Sequence, residues 1–189
     1  PEVRLSSFRV SRLRDTRDDP FDPSRGTAIA VETELASRAI GSAIGFSKTF
    51  VSGSFFKTLS QSSRVVFAAG SRLGLAWGFP QTLQLDVGGT PTKVRRALAL
   101  PLSERFFAGG DNSVRGYAYE QLGPEDDTGT VIGGRYLAVA SAEIDYRFKD
   151  NWRVALFTDI GNAMIEPNEK LKQSVGFGVR WISPIGSIR

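Results

Sequence analysis

The sequence predicts an all-β fold of antiparallel strands, and three observations carry that reading. Segment after segment alternates apolar with polar or small residues at a period of two, the signature of strands with two unlike faces. The 13 phenylalanines and 20 glycines among 189 residues favour twisted, aromatic-rich strands over helices. No apolar run approaches the ~20 residues that a membrane-spanning helix needs.

The first strand is placed at residues 3–14, although its alternation changes phase around Ser6 and Ser7, as a β-bulge would produce. The run DTRDDPFDPSRG at 15–26 is dense in turn formers and ends it. Residues 26–36 follow, with Thr27, Ile29, Val31, Thr33 and Leu35 on one face and Ala28, Ala30, Glu32 and Glu34 on the other. Residues 46–58 form the next strand and carry phenylalanines on both faces. In residues 64–77, Val65, Phe67, Ala69, Leu73, Leu75 and Trp77 oppose Arg64, Val66, Gly70, Arg72 and Gly74. The connection at 78–134 is too long for an ordinary loop, and such loops are usually functional. Residues 135–148 then set Tyr136, Ala138, Ile144, Tyr146 and Phe148 against Ser141, Glu143, Asp145 and Arg147. After the tight turn Lys149-Asp150-Asn151, residues 152–163 set Trp152, Val154, Leu156 and Ile160 against Arg153, Asp159 and Gly161. Residues 174–182 set Val175, Phe177, Val179 and Trp181 against Ser174, Gly176, Gly178 and Arg180, and Pro184-Ile185-Gly186 turns the chain again.

One face of these strands is apolar and ends in aromatics; the other carries charges and glycines. A soluble sandwich would bury the apolar face, whereas a transmembrane barrel turns it to lipid and lines a wet lumen with the charged face. Hydropathy does not separate the two, because a spanning strand needs only ~9–11 residues. Trp77, Tyr146, Phe148, Trp152 and Trp181 near strand ends match interfacial aromatic girdles and favour the barrel. The absence of cysteine and histidine excludes a disulfide framework, a thiolate or histidine metal site and a Ser-His-Asp triad within these residues. The net charge of +4 is spread along strands and turns with no dense basic run, so no nucleic-acid partner is expected. Pro1-Glu2-Val3-Arg4 has no apolar stretch behind it, so an exported protein would start upstream.

The sharpest motif lies inside the long connection. FFAGGDNSVRGY at 106–117 resembles the signature of the BamA/TamA outer-membrane surface-antigen superfamily, whose long extracellular loop carries a Val-Arg-Gly-Phe/Tyr tip. Asp15-Thr16-Arg17-Asp18-Asp19-Pro20 with Pro23 and Gly26 is similar to a periplasmic turn of that family. Ala142-Glu143, Phe157-Thr158-Asp159-Ile160-Gly161 and Gly178-Val179-Arg180-Trp181-Ile182-Ser183-Pro184-Ile185-Gly186 are similar to its later strands, in the same order. The resemblance implies a sixteen-stranded transmembrane barrel preceded by periplasmic POTRA repeats. This chain would supply about strands eight to fourteen, with Ser187-Ile188-Arg189 opening the fifteenth and the POTRA repeats and the first and last strands outside residues 1–189. The resemblance also implies that 78–134 folds into the lumen with Gly109, Gly110, Val114, Arg115, Gly116 and Tyr117 at its tip. There Arg115 would meet acids on the wall, here Glu143 and Asp159, which parity independently places on the polar face.

The function implied is outer-membrane protein assembly and insertion, without enzymatic activity or cofactor. The partners implied are outer-membrane lipids, client outer-membrane or secreted polypeptides and accessory assembly proteins. The alternatives are a two-partner-secretion pore for extended polypeptides and a barrel anchor of a fused patatin-like lipase; a diffusion porin fits least, because an inward loop obstructs the lumen. Blander readings stand beside each residue. Arg115 could be a solvated loop arginine, Glu143 and Asp159 water-satisfied lumen charges, and Glu32 and Glu34 wet lumen residues. Asp18-Asp19 suits turn stabilisation better than a metal or catalytic pair, and Asp111-Asn112-Ser113 lacks the spacing of a calcium loop.

Overall fold

A computed structural model gives the fold for residues 4–60, 64–79, 81–87, 90–96, 100–183 and 186–188. Eight strands form one antiparallel sheet: β1 (Ser7–Asp15), β2 (Gly26–Ala36), β3 (Phe46–Thr58), β4 (Val65–Gly78), β7 (Tyr136–Lys149), β8 (Trp152–Met164), β9 (Lys172–Ser183) and β10 (Gly186–Ile188), each beside its neighbour in the chain. Between β4 and β7 the chain makes a separate hairpin, β5 (Gln81–Val87) and β6 (Thr90–Arg96). The long connection expected at 78–134 therefore contains regular structure. Among the described residues the helical segments are the single 3-10 turns Arg38–Ile40 and Leu102–Glu104.

The first strand differs from expectation. It starts at Ser7, and its pairing with β2 runs from Ser7 opposite Ala36 to Asp15 opposite Ala28 without a slip. No bulge interrupts it. The change of phase reflects a change in what each face carries: Phe8 and Val10 share their face with Arg12 and Arg14, while Leu13 turns the other way with Arg9. The bulge in this sheet lies at the end of β7, between Arg147 and Lys149.

The exposure of the two faces decides between sandwich and barrel. The apolar face lies bare: Phe177 is 86% exposed and Leu156 59%, and Leu73, Leu75, Trp77, Ile144, Tyr146, Phe148, Trp152, Val154 and Val175 are exposed with them, while Val65 and Phe67 are half-buried. The charged face is the covered one, with Asp159 1% and Arg153 2% exposed and Glu34, Glu143 and Asp145 also buried. In water this is inside out, because exposed apolar side chains forfeit the burial that drives folding. A wall with lipid outside and a polar interior has this polarity. A cation placed in the middle of the outer face, away from its rims, should therefore destabilise it. Leu156→Arg is expected to cost ~2–4 kcal/mol in urea unfolding from lipid vesicles, whereas the same change on a solvated face would be nearly neutral.

Strand tilt can be read from the register. One row crosses the sheet through Arg14, Ile29, Gly53, Ser71, Ala140, Ile160 and Gln173. β1 ends one residue past this row, at Asp15, and β9 ends ten past it, at Ser183, a slip of nine residues over six strand spacings. At ~3.4 Å per residue and ~4.8 Å per spacing, the strands lie at about 45° to the line of their ends. Closed membrane barrels tilt their strands by about that much. The connections 16–25, 59–64 and the tight turn 150–151 lie at this short-turn end, whereas 37–45, 79–135 and 165–171 join the strands at the other.

The apolar core sits between the long connection and the inner face of the sheet. Phe46, Ala76, Leu137, Val139 and Ala163 from the sheet meet Leu100, Phe106, Ala108, Val114 and Leu122 from the connection. The phenylalanines on both faces of β3 now sort themselves. Phe46 and Phe50 point inward, with Phe50 stacked on Phe106 at 6.3 Å, while Phe55 points outward against Phe67.

Candidate functional site

The loop at 100–134 is a folded object held by its own backbone. Phe106 and Gly134 exchange a pair of N–H···O bonds, each 2.8 Å, and Ala108 and Leu122 do the same at 2.8–2.9 Å. The Arg105 guanidinium straps the base, donating to the carbonyls of Leu100 and Ile132. At the tip, Gly110 N–H donates to the Tyr117 carbonyl and Ser113 N–H to the Gly110 carbonyl, so the chain reverses within a few residues. Gly109, Gly110 and Gly116 have φ of +103°, +91° and +87°. At Gly109 a side chain is doubly forbidden, since a Cβ would also collide with the Ala118 carbonyl oxygen.

This reversal presents three residues to the wall. Val114 is fully buried in the apolar core beneath the loop. Tyr117 packs against that core and its hydroxyl donates to the Gln173 carbonyl at 3.3 Å. Arg115, between them, docks on β7 and β8. Its Nε and Nη2 bond the two oxygens of Asp159 at 2.8 and 2.7 Å, its backbone N–H donates to Asp159 Oδ2 at 3.0 Å, and its Nη1 donates to Glu143. The planar fork matches the carboxylate, which is the geometry that favours Arg over Lys. Burial opposes the charged guanidinium, but the hydrogen bonds and charges of Asp159 and Glu143 outweigh it, and the pKa rises further above its ordinary value.

Phe157, Gly176, Arg180, Asp145 and Asp22 join the site beyond the sequence reading. Phe157 is on the inner face, and the Arg115 guanidinium stacks on its ring with Cζ 3.6 Å from the centroid. Gly176 makes room for that ring, because a Cβ there would sit 2.5 Å from it. Arg180 bonds Glu143 on one side and Asp145 on the other at 3.1 Å. Asp22 reaches from the β1–β2 turn to Arg153 at 2.6 Å and Arg147 at 3.1 Å, a contact possible only because the sheet curls inward. Asp159, Arg115, Glu143, Arg180 and Asp145 thus form a chain of alternating charge, and Asp22 with its two arginines continues it toward the turn. Glu32 and Glu34 are not simply wet: Glu34 is 6% exposed and takes Arg9 at 2.7 Å, with Glu32 3.5 Å from the same guanidinium.

The β1–β2 turn that carries Asp22 is built by its aspartates. Asp18 accepts from the Ser24 hydroxyl at 2.5 Å and from the backbone N–H groups of Ser24 and Arg25, and Asp19 caps the N–H groups of Phe21 and Asp22. The Ser24 hydroxyl holds the Asp18 carboxyl well below its ordinary range; burial opposes it, and the Ser24 and Arg25 amides add to the lowering. A depressed folded pKa means that this stabilisation is complete above the unfolded carboxylate value near ~4. It fades as pH falls through the lower folded value. Hydrogen exchange at the Ser24 and Arg25 amides should accordingly lose protection only below about pH 4, and Asp18→Asn should remove that acid-dependent loss.

A cavity of about 260 Å³ lies between the loop tip, Asp111 to Ser113, and the inner wall at Gly70, Ser71, Ser141 and Glu143. Among the described residues no cluster of side chains is arranged to hold a metal ion.

Comparison with known proteins bears on this geometry. The model of the Omp85 superfamily domain matches residues 2–189. The outer membrane protein assembly factor BamA of Nitratidesulfovibrio vulgaris is 31% identical over 192 residues, covering 97% of this chain and 22% of the relative. That of Neisseria meningitidis is 26% identical over 213 residues, covering 93% of this chain and 24% of the relative. A SAM50-like protein of Schizosaccharomyces pombe is 27% identical over 145 residues, covering 73% of this chain and 27% of the relative. The chain thus spans about a quarter of the length of these relatives. The crystal structure of BamA from Haemophilus ducreyi lacking POTRA domains 1–3 superposes with a TM-score of 0.74 at 21% identity, over 96% of this chain and 37% of that one.

Proposed function

The chain belongs to the Omp85 superfamily and sits in an outer membrane, and from that premise we propose that it is the later part of the barrel of a factor that folds and inserts other outer-membrane proteins. The observation that carries the proposal is the loop docked on the inner wall through Arg115, Glu143 and Asp159. In this reading 78–134 enters the lumen from the outer surface, and its arginine holds it there. A lumen so filled is poorly suited to passive diffusion. The latch keeps β7, β8 and β9 in one rigid arrangement while client strands pair with an exposed edge elsewhere in the barrel. Lipids, client polypeptides and accessory assembly proteins are the partners, and the role is not enzymatic.

The test uses the intact protein that carries this segment, reconstituted in phospholipid vesicles and supplied with an unfolded outer-membrane protein. The client should reach its heat-resistant, protease-protected form faster than with empty vesicles, and Arg115→Ala should slow it. Delivery of the polypeptide into the vesicle interior without insertion would instead support a secretion pore. No effect on the client at all would support an anchor.

A further inference from the structure

The outer face carries a charge asymmetry that the assembly role does not use. Up to the bulge that ends β7, the only charged residues on the outer faces of β1–β4 and β7–β9 are Arg12, Arg14 and Lys57, all cations. The inner-face arginines described above are paired with carboxylates, but these three have no hydrogen-bond or ion-pair partner among the described residues. The tilt of the sheet puts them at one depth. Counted from the short-turn end of each strand, Arg14 and Lys57 lie one residue in and Arg12 three. Phe148 and Tyr146 lie one and three residues in on β7, Trp152 begins β8, and Trp181 lies two in on β9. The short-turn rim of the barrel therefore carries aromatics on β7–β9, with Lys149 opposite Trp152 beyond the bulge, and a cationic arc on β1 and β3.

We propose that Arg12 and Arg14 form a binding site for the phosphodiester headgroup of an anionic phospholipid in the membrane leaflet at the short-turn end. Cations cost several kcal/mol at the bilayer midplane but almost nothing at the interface, so their confinement to this rim fits a headgroup contact. Alternate residues on one strand place Arg12 and Arg14 about 7 Å apart, directly opposite Val31 and Ile29 in the register, and side chains of this length can keep an apolar stem on the wall with the charge at the headgroups. Both project from the face of β1, not from its edge, so pairing with a further strand leaves them outward. The inference rests on the membrane-spanning fold and not on the assembly role.

The experiment places a fluorophore at Ile29→Cys in an otherwise cysteine-free intact protein in vesicles, with a second preparation labelled at Val154→Cys on the aromatic arc. Nitroxide-bearing phosphatidylglycerol and phosphatidylcholine are compared as quenchers. At Ile29 the anionic lipid should quench several-fold more efficiently per mole, since each interfacial cation contributes about fivefold. High salt should diminish that preference, and Val154 should show little of it. The double variant Arg12→Gln/Arg14→Gln should abolish the preference at Ile29, and Arg12→Lys/Arg14→Lys should keep most of it, which separates lost charge from lost folding. Equal quenching by both lipids at Ile29, or a preference that survives the glutamine pair, overturns the site. Absence of quenching by either lipid would overturn it together with the outward orientation of the face; client assembly plays no part in the readout.

Discussion

Arg115→Ala is expected to destabilise the barrel by ~3–5 kcal/mol, the cost of removing one partner from a buried charged pair. The lower part of the range applies: the Asp159 side chain is completely buried and that of Glu143 is 9% exposed, but both line the cavity of about 260 Å³ beside the loop tip, from which water can replace some of the lost donors. An exposed pair would contribute only ~0–1 kcal/mol. Arg115→Lys should recover a minority of the loss. An ammonium cannot donate to both oxygens of Asp159 and to Glu143 from one plane, and it gives up the stacking on Phe157. A double-mutant cycle of Arg115→Ala with Asp159→Asn, read by urea unfolding in vesicles, should show a coupling of ~1–3 kcal/mol. Simple additivity would mean that the two residues do not act as a unit.

The second large effect belongs to the residue before it. Val114 is fully buried among Phe106, Ala108, Leu122, Leu137, Val139 and Ala163. Val114→Asp would place a carboxylate in that cluster without a partner, at a cost of ~3–5 kcal/mol. The loop should leave the wall while the strands, held by their own pairing, remain. Limited trypsin digestion of the folded barrel should then cut at Arg105 and Arg115, both protected in the parent protein. Val114→Ala should give a graded version, ~1–2 kcal/mol, with partial protection. Full protection in Val114→Asp would show that this cluster does not hold the loop.

The strands were legible because their information is local. Parity and turn chemistry place 26–36 and 46–58 with the boundaries that β2 and β3 have, and the remaining strand ends fall within a residue or two except at β1. The β5–β6 hairpin was readable in principle. Its two alternating runs flank Gly88-Gly89, a two-residue hairpin signal, although residues 88–89 themselves lie outside the described ones. Treating 78–134 as one loop hid it. At β1 the phase change was ambiguous, because a bulge and a switch in facial chemistry leave the same trace in sequence. The site was legible only in part. Parity sets Glu143 and Asp159 on the inner face and the motif singles out Arg115, but Arg180, Asp145 and Asp22 join through long side chains that cross strands or span the curl of the sheet. No periodicity encodes such reach. The inward Phe46 and Phe50 are likewise intelligible only once the loop that covers them is known.

The register of β7 on β8 has a consequence for the order of events in folding. Arg115 binds across sequence separations of 28 and 44 residues, to one acid on each strand. A slip of a single residue in either strand would send its acid to the opposite face, and the arginine would find lipid-facing aliphatics instead. Docking of the loop is therefore conditional on correct pairing, and it must come late. It acts as a checkpoint: a misregistered wall leaves the loop free and open to proteolysis, and a closed loop certifies that the strands beneath it are in step.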